Sequence, residues 1–549
     1  LQGPPGTGKT TLVAWLVREI LADDPVGQIL VTAQAHGAVD VLREMVRREA
    51  FAGVPEHEQP LAVRLGGTQR RVDDDITTLI PARDEASVEG VSLRVLELAR
   101  DALPSEGERT ALQAEWGAAA DEMAQALRTA STEAGAPDFC ELVKRGAHIT
   151  YCTTSAGELE ELADMTQSFD WSILEEAGKA HSFDLALPLQ AGHRWLLIGD
   201  HHPLPPYRFD HYWRAIENLP ATVAALRALP SGGAGLVDYD WIRSWEDSDE
   251  LARAEFARYV SAWLNTFARI FDQCHGVIPA ESTELTDGVA TAPAAGMITG
   301  QHRMHPDIGE LISEAYYRGE LRNETVDQDG RPLSRVCHPF VAPAGIANCA
   351  VTWLDLPWAA RGGEEERGPR TDGTPRYTNP AEVDALGRFL AQLRREGAEP
   401  LDLAVLSPYN RQVGLINQRL PSTPPAGLRL KQTRRRRGGE DTARVGHTVD
   451  SFQGNQAEVI AVSLVRNNTL PPGDGLGFLR EAPRVNVLLS RAERLLVLVG
   501  SFEFFQEQVR LVSLQDPFDP LWHWKKVVSM LERWFEEGRA LRLPATSLP

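Results

Sequence analysis

Residues 3–10 read GPPGTGKT, and the next ten, TLVAWLVREI, carry the apolar spacing of a helix. The stretch matches G-x-x-x-x-G-K-[ST], a loop that cradles phosphates and opens a helix. Gly3, Gly6 and Gly8 let backbone N–H groups turn inward, where a Cβ would obstruct them. The helix behind them offers its positive end, equivalent to roughly half a unit charge. In such a loop Lys9 pairs the β- and γ-phosphates and Thr10 holds magnesium, with Pro4, Pro5, Thr7 and Thr11 completing the cradle. A chance glycine turn is the competing reading, and it leaves the helix unexplained. A loop of this kind sits between a strand and a helix, so it predicts an α/β fold around a parallel sheet.

Farther on, ILEEAGKA (173–180) ends an apolar strand in two carboxylates. Nucleotide hydrolases often end a strand this way, with Asp then Glu. Here Glu175 takes the metal-side place and Glu176 that of the base that orients or deprotonates water. Glu is one methylene longer than Asp, and Mg²⁺ demands near-octahedral geometry. Magnesium also keeps several waters, so the longer carboxylate can act through one of them. An ordinary acidic strand end is the bland alternative; the phosphate loop upstream makes it the weaker one.

The bulk numbers set outer limits. At 549 residues, 43% apolar and 24% charged, the chain exceeds one domain and can bury large cores. No apolar run reaches the roughly 18 residues that span a bilayer. Five cysteines, odd in number and without a CxxC pair, read as reduced cytosolic thiols and not as a zinc site. The expected location is cytoplasmic. A net charge of −21 argues against coating nucleic acid by bulk electrostatics, though it allows a local basic track.

Strand signals alternate with helical patterns at QILVT (28–32), LAVRL (61–65), HITYC (148–152), WSILE (171–175), WLLIG (195–199), AVTWL (350–354), LAVLS (403–407), EVIAVSL (458–464) and LLVLV (495–499). They predict two parallel-sheet domains. The expected organisation is a first domain over 1–207 with a helical insertion at about 86–135, an insertion and connection over 208–295, a second domain over 296–505, and a helical tail over 506–549. By composition, PWAARGGEEERGPRTDGTPR (357–376) reads as a solvated loop. Trp522, Trp524 and Trp534 in the tail read as packing residues.

GPPGTGKT, EEAGKA, GDHHPLPP (199–206), QHRMHP (301–306), VDSFQGNQAEV (449–459) and RVNVLLSRA (484–492) occur in that order. Together they resemble the motifs of superfamily 1B helicases, in the branch of the nonsense-mediated-decay RNA helicase and senataxin. VTAQAHGAVDVL (31–42) resembles the same group's first nucleic-acid-binding motif. The resemblance implies two RecA-like domains with ATP and Mg²⁺ held between them, and 5′→3′ movement along single-stranded DNA or RNA. It gives Arg303 and Arg491 the part of arginines that reach the γ-phosphate. Asp200, His302, Gln453, Gly454 and Gln456 fall at nucleotide-binding positions, and Gln34, His36 and Thr448 at nucleic-acid contacts. The family's adenine-reading glutamine falls before Leu1, so the chain is expected to be part of a longer protein, with further domains or partner sites upstream.

This chain departs from the family pattern at Glu175 for Asp, Pro203 for Gln, His302 for Tyr and Gln456 for Glu. The hydrolytic parts are kept, while Pro203 removes an amide that links γ-phosphate to the nucleic-acid cleft. LRLKQTRRRR (428–437), with Arg434 and Arg435 near its end, reads equally as a phosphate-contacting loop or a solvated charge run. The leading expectation is an ATP-dependent helicase or translocase. The rival is an ATP-gated switch that binds nucleic acid or protein with weak or uncoupled hydrolysis. A signalling or chaperone-type ATPase would require the last motifs to be accidental.

Overall fold

The computed structural model describes residues 1–66, 68–73, 76–81, 85–129, 136–154, 157, 159, 169–200, 218, 264–275, 294–324, 339–368, 377–397, 399–421, 423–431, 444–449, 451–452, 455–517 and 519–548. The chain divides into two compact units. One holds Leu1–Gln2, Lys9–His201 and Pro205–Gly296, and the other holds Gly3–Gly8, His202–Leu204 and Met297–Pro549.

The first unit begins with helix α1 (Lys9–Asp23), strand β1 (Ile29–Ala33) and helix α2 (His36–Met45). Strand β2 (Ala62–Arg64) leads into an antiparallel hairpin of β3 (Thr68–Asp73) and β4 (Ile76–Pro81). Helices α3 (Val88–Asp101), α4 (Ala111–Thr129) and α5 (Ala136–Arg145) follow. Then come β5 (Ile149–Thr153), β6 (Phe169–Glu175), α6 (Ser182–Ala191), β7 (Gly192–Ile198) and α7 (Thr266–Cys274).

Its sheet runs β2-β5-β1-β6-β7, parallel throughout. Every residue of β1 is buried, as a strand covered on both faces must be. Ile29, Val31 and Ala33 pack with Val13 and Val17 of α1 and with Val39 and Leu42 of α2. Leu30 packs on the other side with Leu65, Val143 and Phe169. The expected insertion falls on α3 and α4, which meet through Leu96, Ala120 and Ala124. Ser87 caps α3 by accepting the Gly90 N–H at 3.1 Å. Most of the second expected insertion, 208–295, lies outside the described residues.

The second unit contains α8 (Pro306–Tyr316), β8 (Val351–Asp355), α9 (Pro380–Gln392), β9 (Leu401–Ser407), α10 (Asn410–Arg419) and β10 (Leu428–Leu430). It continues with β11 (Gly446–Thr448), β12 (Ala457–Ser463), α11 (Ala482–Leu489), β13 (Ala492–Gly500), α12 (Phe502–Gln508), α13 (Trp522–Glu537) and β14 (Ala540–Pro544). The strand order is β10-β9-β12-β13-β8-β14, with β11 also on β9, again all parallel. Trp353, Ile460 and Leu498 pack on one face with α8 and α13, and Leu354, Val405 and Val497 on the other with α9 and α10. Both units are therefore parallel α/β domains, the RecA-like class expected.

Segment 506–549 does more than add a helix, because its strand β14 extends the sheet beside β8. Trp524 and Trp534 are fully buried, while Trp522 is half-buried and donates its indole N–H to the Leu514 carbonyl at 3.1 Å. The loop read as solvated is also partly core: the Glu366 carboxylate and the Arg466 guanidinium form a buried pair at 3.3 Å.

A buried histidine on α13 sets one expectation. His523 lies beside the rings of Tyr316 and Trp524, and burial pushes it from 6.5 down to about 4. Between those values the unfolded chain binds a proton that the folded chain refuses. Its contribution to stability is thus complete above about 6.5 and is lost as pH falls toward 4. Thermal midpoints should drop across that window, and His523→Gln should flatten the drop. Parallel slopes for the two proteins would count against this assignment.

Candidate functional site

Within the phosphate loop, the Thr7 hydroxyl donates to the Pro4 carbonyl at 2.8 Å. Gly6 and Gly8 adopt φ of +78° and +76°, the left-handed region that favours glycine. Lys9 and Thr10 open α1, and Thr11 follows them. The Thr10 hydroxyl donates to Glu175 Oε1 at 2.7 Å, which ties the first turn of α1 to the C-terminal end of β6. Glu175 is 6% exposed. Burial raises its pKa and neighbouring Glu176 adds to the rise, while the Thr10 hydrogen bond, Lys9 and Lys179 oppose it.

A hard divalent cation takes oxygen donors of this kind, and the extra methylene of Glu175 has not carried its carboxylate out of reach of Thr10. The pair therefore fits magnesium, with Thr10 and Glu175 the residues that would hold it. Bound there, the ion would supply positive charge to offset that of a nucleotide's phosphates.

Glu176 adopts φ 59° and ψ 29°, a left-handed conformation that costs a non-glycine residue roughly 1–2 kcal/mol. That kink turns the chain out of β6 into a tight turn over Ala177–Lys179. The Lys179 ammonium donates to Glu176 Oε1, and the Lys179 N–H donates to the Glu176 carbonyl at 2.9 Å. The turn is wedged against the end of β7. A Cβ on Gly178 would lie 2.2 Å from the Asp200 carbonyl oxygen, and one on Gly199 would lie 2.6 Å from the Gly178 nitrogen. Asp200 itself is buried at this junction. The signal for Lys179 in the sequence is its spacing of three from Glu176 across a glycine turn.

In the second unit, Gln301 shapes the turn that presents Arg303. Its Oε1 accepts the N–H groups of Arg303 at 3.1 Å and Met304 at 2.8 Å, and its amide donates to the Met304 carbonyl and to Asn323. Arg303 keeps some surface open, yet protein encloses its guanidinium. That burial, together with the charge of Arg491, pushes it down to about 9 against the pull of Glu493. Arg491 is buried and donates to the carbonyls of Val487 and Asn455. The fold thus brings both expected arginines into one electrostatic group. His302 is exposed, its ring 3.5 Å from a Glu324 carboxylate oxygen. Gln456 is half-buried just before β12. Gln453 and Gly454 lie outside the described residues, as does Pro203.

Among the nucleic-acid candidates, Gln34 lies between β1 and α2, and exposed His36 begins α2. Buried Arg64 on β2 donates to His36 Nδ1 at 2.9 Å and bonds Asp40 at 3.2 Å. An arginine can only donate, so His36 Nδ1 is the acceptor in this contact. Thr448 ends β11 and accepts the Ser451 N–H at 3.1 Å, closing the turn after that strand.

The first two cations of the basic run are engaged by the sheet. Arg429 and Lys431 bond the two oxygens of Asp402, and they outweigh its burial to hold that carboxyl below its ordinary range. Arg434 and Arg435 lie outside the described residues.

Two family models, each described as an AAA domain, match residues 1–210 and 285–503. The chain is 24% identical to "Regulator of nonsense transcripts 1 homolog" of Neurospora crassa over 502 residues, 91% of this chain and 35% of that protein. It is 25% identical to "DNA-binding protein SMUBP-2" of Mesocricetus auratus over 543 residues, 94% of this chain and 42% of that one. With "DNA polymerase alpha-associated DNA helicase A" of Saccharomyces cerevisiae it shares 23% identity over 523 residues, covering 92% and 63%. The chain spans less than two thirds of the length of each of these relatives.

Proposed function

The chain belongs to the superfamily 1B helicases, in the branch of the nonsense-mediated-decay RNA helicase and senataxin, and from that premise we propose that it is an ATP-hydrolysing helicase or translocase on single-stranded nucleic acid. The observation that supports this most is the Thr10–Glu175 hydrogen bond, which joins the phosphate loop's helix to the acidic strand end. On this reading Lys9 and the loop residues Gly3–Thr11 bind the phosphates of ATP. Thr10 and Glu175 hold Mg²⁺, and Glu176 orients or deprotonates the attacking water. Arg303 and Arg491 stabilise charge on the transferring phosphoryl group. Asp200, His302, Gln453, Gly454 and Gln456 complete the nucleotide contacts. Gln34, His36, Thr448, Arg434 and Arg435 contact the strand, which the motor follows 5′→3′. Expected partners are DNA or RNA single strands, and the expected location is cytoplasmic. Among the described residues no helix is long and apolar enough to cross a membrane.

The test is ATP turnover by the full protein with and without single-stranded DNA and RNA, paired with strand displacement from substrates bearing 5′ or 3′ overhangs. Strong stimulation by one nucleic acid and displacement from its 5′ overhang are expected. Equal turnover with and without a strand would sink the motor reading. ATP binding that changes strand affinity without turnover would establish the switch instead.

A further inference from the structure

We propose that Glu493 is a positioning residue for hydrolysis: its carboxylate supplies the negative charge that keeps the Arg303 guanidinium in place beside Arg491. The proposal rests on the hydrolytic reading above and adds a residue to it.

Two features bring Glu493 to Arg303. The turn that presents Arg303 is fastened to β13 at this residue, because the His305 N–H donates to the Glu493 carbonyl at 2.7 Å. The His305 ring accepts the Asp307 N–H at 3.2 Å and starts α8, while Gln301 holds the other side of the turn. Strand β13 is also irregular here. Ala492 pairs with Ala457 and Leu495 with Val459, so Glu493 and Arg494 together face the single residue Glu458 of β12. Such a bulge bends its strand and re-aims a side chain, and bulges collect beside functional sites.

The surrounding charges give the bulge a purpose. Arg303 is enclosed by protein next to Arg491, and the two cations repel; Glu493 opposes that repulsion. Glu493 is itself raised above its ordinary range by burial and by Glu458, and drawn back by Arg303, Lys431 and Arg494. Glu458 accepts the Asp402 N–H at 2.8 Å, and Asp402 binds Arg429 and Lys431. The N-terminal ends of β9, β12 and β13 thus carry a row of charges that reaches Arg303 at Glu493. An arginine that meets charge developing on phosphate has to be aimed beforehand, since a misplacement of about 1 Å costs about hundredfold. A carboxylate that merely belonged to a solvated ion network would be indifferent to Arg303.

The experiment compares Glu493→Gln, Glu493→Asp, Arg303→Gln and the double variant Arg303→Gln/Glu493→Gln in the full protein. Turnover of ATP is measured with saturating single strand. Glu493→Gln keeps the shape of the side chain and removes its charge, so kcat should fall about tenfold, within the loss that misplacement explains, with KM unchanged. Glu493→Asp keeps the charge and should recover most of that loss. Once Arg303 is replaced, Glu493→Gln should lower kcat no further. Acid should close the gap, because protonated Glu493 is as neutral as the amide that replaces it. The wild-type advantage should therefore be full at alkaline pH and shrink as pH falls. Wild-type kcat in Glu493→Gln, a further loss in the double variant, or a gap independent of pH would overturn the proposal.

An arm independent of turnover reads the pairing in stability. Glu493→Gln should lower the melting temperature by about 2–4 °C, and by less than half as much when Arg303→Gln is already present. Equal drops in the two backgrounds would overturn the proposal, because Glu493 would then serve only Lys431 and its other neighbours. A wild-type chain that turns over no ATP on any strand, with the melting temperatures still coupled, would overturn the hydrolytic reading and the positioning role while leaving the charge pair.

Discussion

Glu176→Gln is expected to stop ATP turnover while nucleotide binding stays nearly intact. The substitution keeps the shape of the side chain and removes only its charge and basicity, so the turn at Ala177–Lys179 should persist. A group that orients or deprotonates the nucleophile contributes about 10²–10⁴ in rate, and kcat should fall by that factor. Affinity for ATP should change little, because the phosphate loop and the Thr10–Glu175 pair are untouched. Removing one of two adjacent negative charges should, if anything, favour a bound polyphosphate. Substantial turnover in the variant would mean that another group handles the water, and Glu176 would then be only the far end of an ion pair.

Much of this is legible in the sequence alone. The phosphate loop, the strand WSILE and the acidic pair identify a parallel sheet, and β6 indeed carries Glu175 at its end. Apolar runs of five to seven residues located the buried strands because a strand covered on both faces has no polar side to dilute its signal. The edges were harder to see. Strand β10 lies inside a basic run that reads equally as a phosphate-contacting loop or a solvated charge run, since nothing local shows Asp402 waiting across the ladder for Arg429 and Lys431. Strand β14 is five residues at the end of a tail, exposed at alternate positions, and only its pairing with β8 defines it.

The same distinction holds at the site. Thr10 and Glu175 were expected together from two motifs 165 residues apart, and they meet. The Lys179–Glu176 bond depends on Gly178 fitting against the Asp200 backbone, a contact between the ends of two strands that motif spacing cannot express. Glu366 shows the opposite error. Its surroundings are glycine, glutamate and arginine, a composition typical of solvent, yet its carboxylate is buried because Arg466 and Asn468 are there to receive it.

Arg303→Gln should separate function from stability. A guanidinium enclosed by protein beside a second arginine carries an electrostatic cost that Glu493 only partly offsets, and that cost is why Arg303 is pushed down to about 9. Replacing it with a neutral side chain removes the repulsion. The turn itself should survive, because Gln301 holds it through the backbone N–H groups at 303 and 304 and not through the arginine side chain. The melting temperature should therefore match or exceed that of the wild type. Turnover should fall by about 10³ or more, the scale on which arginines that stabilise a transferring phosphoryl group act. A residue kept for packing would show the reverse, a lower melting temperature with turnover preserved in the molecules that remain folded. A guanidinium that destabilises its own fold and yet is indispensable to turnover is one whose charge is matched by a transient anion, and hydrolysis of ATP supplies such an anion at its transition state.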